Sequence, residues 1–283
     1  MKHGISLFIL ALVLGPLPAR ADYPELEFDY PIAADRWGVG LGGYGVDLDT
    51  TVSVGIGDLV GTTIDVEDIL GLQSDQSIVR LGGFFRIRPK HTLEFTWLEI
   101  NRSSDLNISE SFEFDGVRYD ANAMIDSKMD MSLYKVDYQY SFFNNGRVNT
   151  GLQTGLSVFD FDAAIGGQGV QLDADGNPVS GVSFEETGRR LLAPVPGLGF
   201  FIDFAAYRWM VVRFSAEFLD LSISGIEGRY QDTSLLLEFR PQRHFAIGVG
   251  IAGTDLRVKQ TGEDPWSVDY RFSGVVGYLG TSF

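Results

Sequence analysis

The chain has 283 residues, with 22 Lys and Arg against 38 Asp and Glu, so its formal net charge at pH 7 is −16. An acidic balance of this size argues against nucleic acid as a partner, because phosphate binding requires clustered Lys and Arg. No cysteine is present, which excludes disulfides, thiol catalysis and thiolate metal sites. No motif calls for a cofactor, and we expect none.

The first 21 residues predict an export signal. Lys2 and His3 form a short basic start, ISLFILALVLGPL is the apolar stretch that follows, and the small residues around Arg20 fit the cleavage rule. This apolar run is shorter than the roughly 20 residues that a membrane-spanning helix needs. We therefore expect cleavage after Ala21, a short periplasmic segment over 22–35 and one folded domain over 36–283.

The rest of the chain alternates with a period of two residues in about ten segments. In 134–142, aromatic and aliphatic residues oppose Lys135, Asp137 and two other polar residues, and in 148–158 they oppose Gly, Asn, Gln and Ser. The other segments are 78–88, 92–98, 191–205, 210–218, 230–240 and 245–252, with weaker alternation in 36–48 and 266–283. This pattern predicts β-strands with one apolar and one polar face.

The connections between these segments alternate in length. Short ones lie at 88–91, 143–147, 206–209 and 241–244, and longer ones near 49–76, 101–130, 164–189, 222–229 and 260–265. Such alternation places every short turn at one rim of an antiparallel sheet and every long loop at the other. An apolar outer face suits lipid, and in lipid a sheet must close on itself because every backbone group needs a partner within the protein.

The predicted fold class is therefore all-β, a closed antiparallel transmembrane β-barrel. Ten strands fit the segments and the even strand number of bacterial barrels. Twelve strands are the alternative, if 52–60 or 105–125 completes another hairpin. Aromatic residues near the segment ends are expected to form the interfacial girdle; they are Trp37, Phe84, Phe85, Phe142, Phe143, Tyr207, Trp209, Phe239 and Phe245.

The export signal, the strand alternation, the asymmetry of the connections and the ending GYLGTSF resemble the small outer-membrane β-barrel proteins of Gram-negative bacteria. The resemblance implies an outer-membrane location, contact with lipid and lipopolysaccharide, periplasmic short turns and outward-facing long loops. It also implies that the assembly machinery reads the last strand through Phe283. In that strand, Val275 and Leu279 are expected to face lipid with Phe283, while Tyr270, Phe272 and Tyr278 face inward.

His91 and His244 each follow an Arg-Pro pair in a short turn, and the third histidine lies in the export signal. The enzymes among the outer-membrane proteins that this chain resembles carry a histidine at the outer rim, where it acts as a general base. No histidine lies in a predicted outer loop here. The sequence therefore argues against catalysis, and an outer-leaflet lipid-modifying enzyme is the least favoured function.

Several charged residues are expected to face the lumen near the middle of the barrel. They are Arg80, Glu94, Lys135, Asp137, Asp203, Arg213, Glu217 and Glu238. Such charges either brace a closed barrel as ion pairs or line a charged constriction. We predict a narrow passive pore or a small-solute-binding barrel with an acidic outer rim, favouring small cations. The alternative is a closed structural barrel whose loops contact lipopolysaccharide, divalent cations or a partner.

The first long connection contains TTIDVEDILGL, which predicts a one-turn helix that plugs the barrel mouth. Asp65 is suited to cap the helix, Glu67 and Asp68 to occupy its first turn, and Gly71 to end it. Ile69 and Leu70 supply its apolar side. Residues 49–76 hold six acids and no base, which predicts a rim that attracts divalent cations.

The third long connection contains LDADGNPVSG, in which Asp173, Asp175 and Asn177 alternate as in a calcium loop. Pro178 stands where a calcium loop needs glycine. A hairpin tip explains this composition better, and we predict no metal site here.

Overall fold

The computed structural model describes residues 35–54, 63–114, 117–171, 183–223, 225–260 and 265–283. The long strands are β1 (Trp37–Val54), β3 (Asp75–Arg88), β4 (His91–Asn107), β7 (Met124–Asn144), β8 (Val148–Gln171), β9 (Ser183–Tyr207), β10 (Met210–Ile223), β11 (Ile226–Gln242), β12 (Phe245–Gln260) and β13 (Trp266–Ser282). The short elements are β2 (Ile64–Asp65), α1 (Val66–Leu70), β5 (Phe112–Phe114) and β6 (Val117–Tyr119). The export signal and residues 22–34 lie outside the described residues.

The ten long strands form a closed antiparallel barrel, which confirms the predicted fold class. Consecutive long strands pair with one another, and the barrel closes where β1 pairs with β13, from Gly38 opposite Ser282 to Val54 opposite Trp266. The twelve-strand alternative is wrong for 105–125: between the end of β4 and the start of β7, the described residues of this range form the short β5–β6 hairpin, which pairs with the end of β8 and adds no barrel-crossing hairpin. Part of the other candidate hairpin, 55–60, lies outside the described residues.

Short and long connections alternate as predicted. The four turns at 89–90, 145–147, 208–209 and 243–244 mark one end of the barrel, which we call the turn end; the opposite end is the loop end. The strands run much further toward the loop end than the alternation indicated. For example, β8 and β9 cover most of the predicted loop 164–189, and β10 and β11 are joined by 224–225 alone.

The polarity of both barrel faces inverts partway along the strands. On the turn-end half of β8, Leu152 and Leu156 face outward and are exposed, while Gln153 is buried inside. Nearer the loop end, Asp160 faces outward and Phe159 is fully buried inside. The neighbouring strand β7 changes at the same height, since inward Leu133 pairs with Phe159. The outer surface is thus suited to lipid in one half of the barrel and to water in the other.

Outward apolar side chains surround the turn-end half and form what we call the apolar belt. Each long strand contributes; exposed examples are Leu41, Val79, Phe95, Val136, Leu152, Leu198, Phe218, Leu237, Ile251 and Leu279. In β13, Val275 and Leu279 face outward with Phe283 beyond them, and Tyr270 and Phe272 are buried inside, as predicted. The girdle prediction is wrong for Phe84, which faces the barrel interior and lines a cavity.

Apolar side chains fill the barrel interior at the loop end, and we call this packing the loop-end core. Its largest fully buried members are Tyr119, Tyr230, Tyr270, Phe112, Phe159, Ile64, Ile100, Ile108, Ile125, Met131 and Ile165. Residues from the connections fold inward to join it, among them Leu70, Leu72 and Phe114. Among the described residues, no helix is long and apolar enough to cross a membrane.

Candidate functional site

The polar interior of the turn-end half contains all eight of the predicted lumen charges. They project from β3 (Arg80), β4 (Glu94), β7 (Lys135, Asp137), β9 (Asp203), β10 (Arg213, Glu217) and β11 (Glu238). The structure brings six of them into two groups of close ion pairs. Glu94 is held more loosely, 3.8 Å from Arg213 of the second group, and Arg80 makes no ion pair within 4.0 Å with any described residue.

The first cluster, here the lysine cluster, places one ammonium among three carboxylates. Lys135 Nζ lies 2.7 Å from Glu217 Oε2, 3.0 Å from Asp232 Oδ1 and 3.4 Å from Asp137 Oδ2. Asp232 also accepts a hydrogen bond of 2.8 Å from Thr254. The Lys135 side chain is only 9% exposed, so the positive charge depends on these carboxylates for its stabilisation.

Glycines on the adjacent strands make room for the lysine cluster. A Cβ atom at Gly155 would lie 1.9 Å from Asp137 Oδ1, and one at Gly199 would lie 2.8 Å from Glu217 Cγ. The two carboxylate side chains therefore lie flat against bare backbone. Asp232 was not predicted from the sequence, although it lies an even number of residues from Glu238 on the same strand and therefore faces inward as well.

The second cluster, here the arginine cluster, lies closer to the turn end. Arg213 Nε donates to Asp203 at 3.1 Å, and Arg240 Nε donates to Glu238 at 2.7 Å. Asp35 completes it, since its Oδ2 lies 3.2 Å from Arg240 NH1 and accepts a 2.6 Å hydrogen bond from Ser282. Asp35 was assigned to the periplasmic segment by sequence; in the structure it is buried at the turn end.

Two adjoining cavities lie among the side chains of these clusters, and we call them together the chamber. Their volumes are about 150 and 110 Å³, and both are lined by Arg80, Glu94, Thr96, Arg213 and Leu236. The larger cavity reaches Gly38 and Ser282, at the turn-end limits of β1 and β13. Its volume is enough for on the order of ten water molecules.

The predicted mouth plug lies inside the loop end. Asp65 caps α1 by accepting the Asp68 amide at 2.9 Å, and Gly71 ends it with φ of 64°. Leu70 is buried in the loop-end core, and Ile69 packs against that core. The helix is thus part of the seal over the chamber.

A buried ion pair attaches the plug to the barrel wall. Glu67 on α1 pairs with Arg102 on β4, and its Oε2 accepts the Thr50 amide at 2.8 Å. Arg102 also donates to Thr50 Oγ1 at 2.9 Å and lies over the Tyr270 ring, 5.8 Å from its centroid. The Arg102 side chain is fully buried. Sequence reasoning missed Arg102 because it lies in 101–130, which was predicted as a loop.

Comparisons with known proteins identify the architecture. No protein-family model and no curated protein matches the sequence. Among solved structures, the outer membrane protease OmpT from Escherichia coli matches over 87% of this chain and 96% of its own, with 10% identity and a TM-score of 0.56. The fold is that of an outer-membrane β-barrel.

Two further matches have lower TM-scores. The toluene transporter TodX of Pseudomonas putida has 7% identity and a TM-score of 0.39, covering 89% of this chain and 91% of its own. Ail, the attachment invasion locus protein of Yersinia pestis, has 8% identity and a TM-score of 0.31, covering 87% and 98%. The likeness in fold rests on the OmpT match, and its 10% identity identifies no subfamily.

The two histidines of this outer-membrane barrel fold belong to turn-end packing. His91 Nδ1 lies 2.5 Å from the Tyr138 hydroxyl oxygen. His244 Nδ1 lies 2.6 Å from the Ser282 carbonyl oxygen, and its ring stacks on Phe283 with centroids 4.7 Å apart. Each ring therefore fixes the end of a neighbouring strand.

Charges on the outer surface above the apolar belt are largely paired. Arg271 contacts Asp49 and Asp269 at 3.2 Å and Asp255 at 3.3 Å. Elsewhere, hydrogen bonds from Arg190 hold the pKa of Asp160 below its usual range. Of the six acids predicted to form the rim, Asp58 lies outside the described residues, whereas Asp49 and Glu67 are held in ion pairs. The rim is therefore less open to cations than its composition indicated.

The weak metal candidates Asp173, Asp175 and Asn177 lie outside the described residues. Within the part of the chain that the structure describes, no group of three or more Asp, Glu or His side chains is arranged to hold a metal ion.

Proposed function

We propose that this protein is a non-conducting outer-membrane barrel that binds a small solute in its chamber, reached from the turn end. One observation carries the proposal: a polar chamber, lined by charged side chains, lies directly beside the apolar loop-end core. The chamber ends at Leu98, Leu133 and Phe272, which lie at the lower limit of the loop-end core. This arrangement favours the solute-binding version of the sequence prediction over the pore version.

The loop-end core explains why we expect no conduction. An ion that crosses apolar packing loses its hydration without gaining polar partners, which is costly. Within the described residues, the interior above the chamber offers one charged pair, Arg102 and Glu67, whose two charges contact each other. A hydrated solute therefore enters and leaves by the same end.

We expect the refolded mature chain to be electrically silent in planar lipid bilayers. A porin added to the same bilayer serves as the positive control, and flotation of the chain with liposomes shows that it has inserted. Reproducible single-channel steps from inserted protein would contradict the sealed barrel.

We expect a cysteine at Thr96 to react with a small cationic methanethiosulfonate, because Thr96 lines both cavities. The matched control is Ile100→Cys on the same strand, which lies in the loop-end core and is fully buried. The natural chain has no cysteine, so each variant carries a single thiol. If Thr96→Cys is as unreactive as Ile100→Cys, the chamber is closed to solutes.

The proposed setting is the outer membrane, with the turn end toward the periplasm and the apolar belt in lipid. Insertion would use the last strand together with Phe283, which follows it and packs on Trp37 with ring centroids 5.1 Å apart. We assign no catalytic role, because both described histidines bind turn-end partners rather than a nucleophile.

A closed structural barrel that contacts lipopolysaccharide is the second candidate. The outward charges of Asp255, Asp269 and Arg271 favour it, since they lie just above the apolar belt, at headgroup height. Divalent cations would join these carboxylates to lipid phosphates in competition with Arg271, which pairs with both of them in the structure. This candidate gains support if chelation of divalent cations lowers the unfolding temperature in lipopolysaccharide-containing vesicles but not in phospholipid vesicles.

A further inference from the structure

Two charged side chains in the chamber lack the close partners that the other charges have. In both clusters, each carboxylate has a cationic nitrogen within 3.4 Å. By contrast, Glu94 lies 3.8 Å from its partner Arg213. Arg80 makes no ion pair within 4.0 Å with any described residue; its NH2 group donates to Thr96 Oγ1 at 3.5 Å, and it interacts with the Asp232 carboxylate only at longer range.

Arg80 and Glu94 project into the same space from neighbouring strands. β3 pairs with β4 so that Arg80 lies opposite Leu98, Gly82 opposite Thr96, and Phe84 opposite Glu94. The small residues Gly82 and Thr96 therefore lie between the two charges, and both charges line both cavities. Among the charges that line the chamber, Arg80 and Glu94 are thus a positive and a negative group that have no oppositely charged atom closer than 3.8 Å and that have Gly82 and Thr96 between them.

We propose that the chamber binds a small zwitterion, with its carboxylate on Arg80 and its ammonium on Glu94. The inference rests on the proposed solute-binding function and names the substrate class. A guanidinium binds a carboxylate through two parallel hydrogen bonds, and Glu94 accepts from an ammonium. A simple anion or cation would satisfy only one of these two groups and leave a charge without a close partner in a confined space.

The rest of the lining suits a short aliphatic connector between the two charged groups. Leu236 lines both cavities, and Val276 and the Tyr278 ring line the larger one. The Tyr278 hydroxyl donates to Glu238 at 2.6 Å, which turns its polar atom toward the arginine cluster. Apolar surface is therefore available beside the two charged groups.

Titration calorimetry of the refolded mature chain in detergent tests the inference. The probes are glycine, β-alanine and 4-aminobutyrate, which vary the distance between the charged groups, with acetate and methylammonium as single-charge probes and glycerol as a neutral one. We expect at least one amino acid to bind saturably, at least tenfold more tightly than acetate or methylammonium. Arg80→Gln and Glu94→Gln are each expected to weaken that binding at least tenfold.

Matched controls lie on the same two strands. Arg88→Gln and Glu99→Gln remove exposed charges outside the chamber and are expected to leave binding unchanged. Arg80→Lys keeps the positive charge but loses the planar guanidinium. It therefore tests the zwitterion proposal if Arg80→Gln does not refold. It is expected to fold and to bind several-fold more weakly.

The outcomes separate this inference from the proposed function. If no amino acid binds saturably, or if binding survives in Arg80→Gln or is unchanged in Arg80→Lys, the zwitterion assignment is wrong. If acetate, methylammonium or glycerol then binds and protects Thr96→Cys from labelling, solute binding stands with a different ligand class. If no probe binds and Thr96→Cys is not labelled, both proposals are wrong.

Discussion

Lys135→Met is expected to destabilise the barrel by about 3 to 5 kcal/mol, the cost of removing one partner from a buried ion pair. The substitution leaves Asp137, Glu217 and Asp232 facing one another without their shared cation. Urea unfolding in phospholipid vesicles, followed by the fluorescence of the four tryptophans, measures the loss. The loss should shrink in acid, because protonation of the carboxylates removes the charge that Lys135 balances.

The same strand supplies the control for that experiment. Lys128 lies on β7 with its side chain outward and 57% exposed, and its Nζ lies 2.6 Å from Asp130 Oδ2. Lys128→Met should therefore cost about 1 kcal/mol or less, as is usual for exposed ion pairs. Equal losses for the two variants would show that the lysine cluster is hydrated and contributes no more than a surface pair.

The sequence was enough to predict which residues of each strand face inward, because the period-two alternation assigns each residue to one face. All eight predicted lumen charges face inward for this reason. The ion-pair partners of these charges could not be predicted in the same way. Lys135 and Asp232 meet across the lumen although they are 97 positions apart in the chain, and their contact depends on barrel closure.

The loop-end half was missed because its pattern has the opposite polarity. In VFDFDAAI, residues 158–165, the alternation continues, but aspartates now face outward and phenylalanines inward. A search for apolar outer faces ends at Val158, where the surroundings of the wall change from lipid to water. The reversed alternation, with apolar residues inward and acids outward, is visible in the sequence. It would have predicted both the longer strands and the sealed interior.

The plug helix shows which features can be predicted from neighbouring residues in the sequence alone. The cap at Asp65 and the left-handed Gly71 follow from backbone chemistry within one turn, and both were predicted. The direction in which the helix packs depends on Arg102, which reaches it from β4 and is separated from Glu67 by 35 positions. The Glu67 carboxylate, which binds Arg102 and the Thr50 amide, is the main polar attachment between plug and wall.

Arg102→Leu is therefore expected to destabilise the protein by about 3 to 5 kcal/mol, because it leaves the Glu67 carboxylate at the loop end without its cation. Arg229→Leu is the control, since Arg229 and its partner Asp220 are 62% and 75% exposed, and it should cost about 1 kcal/mol or less. Adding Glu67→Gln to Arg102→Leu should restore much of the loss, because the double variant has no unpaired charge. Unfolding in vesicles is measured for the natural chain, Arg102→Leu, Glu67→Gln, the double variant and Arg229→Leu. If the double variant is as unstable as the sum of its single variants, Glu67 and Arg102 act independently and the plug is held by apolar packing alone.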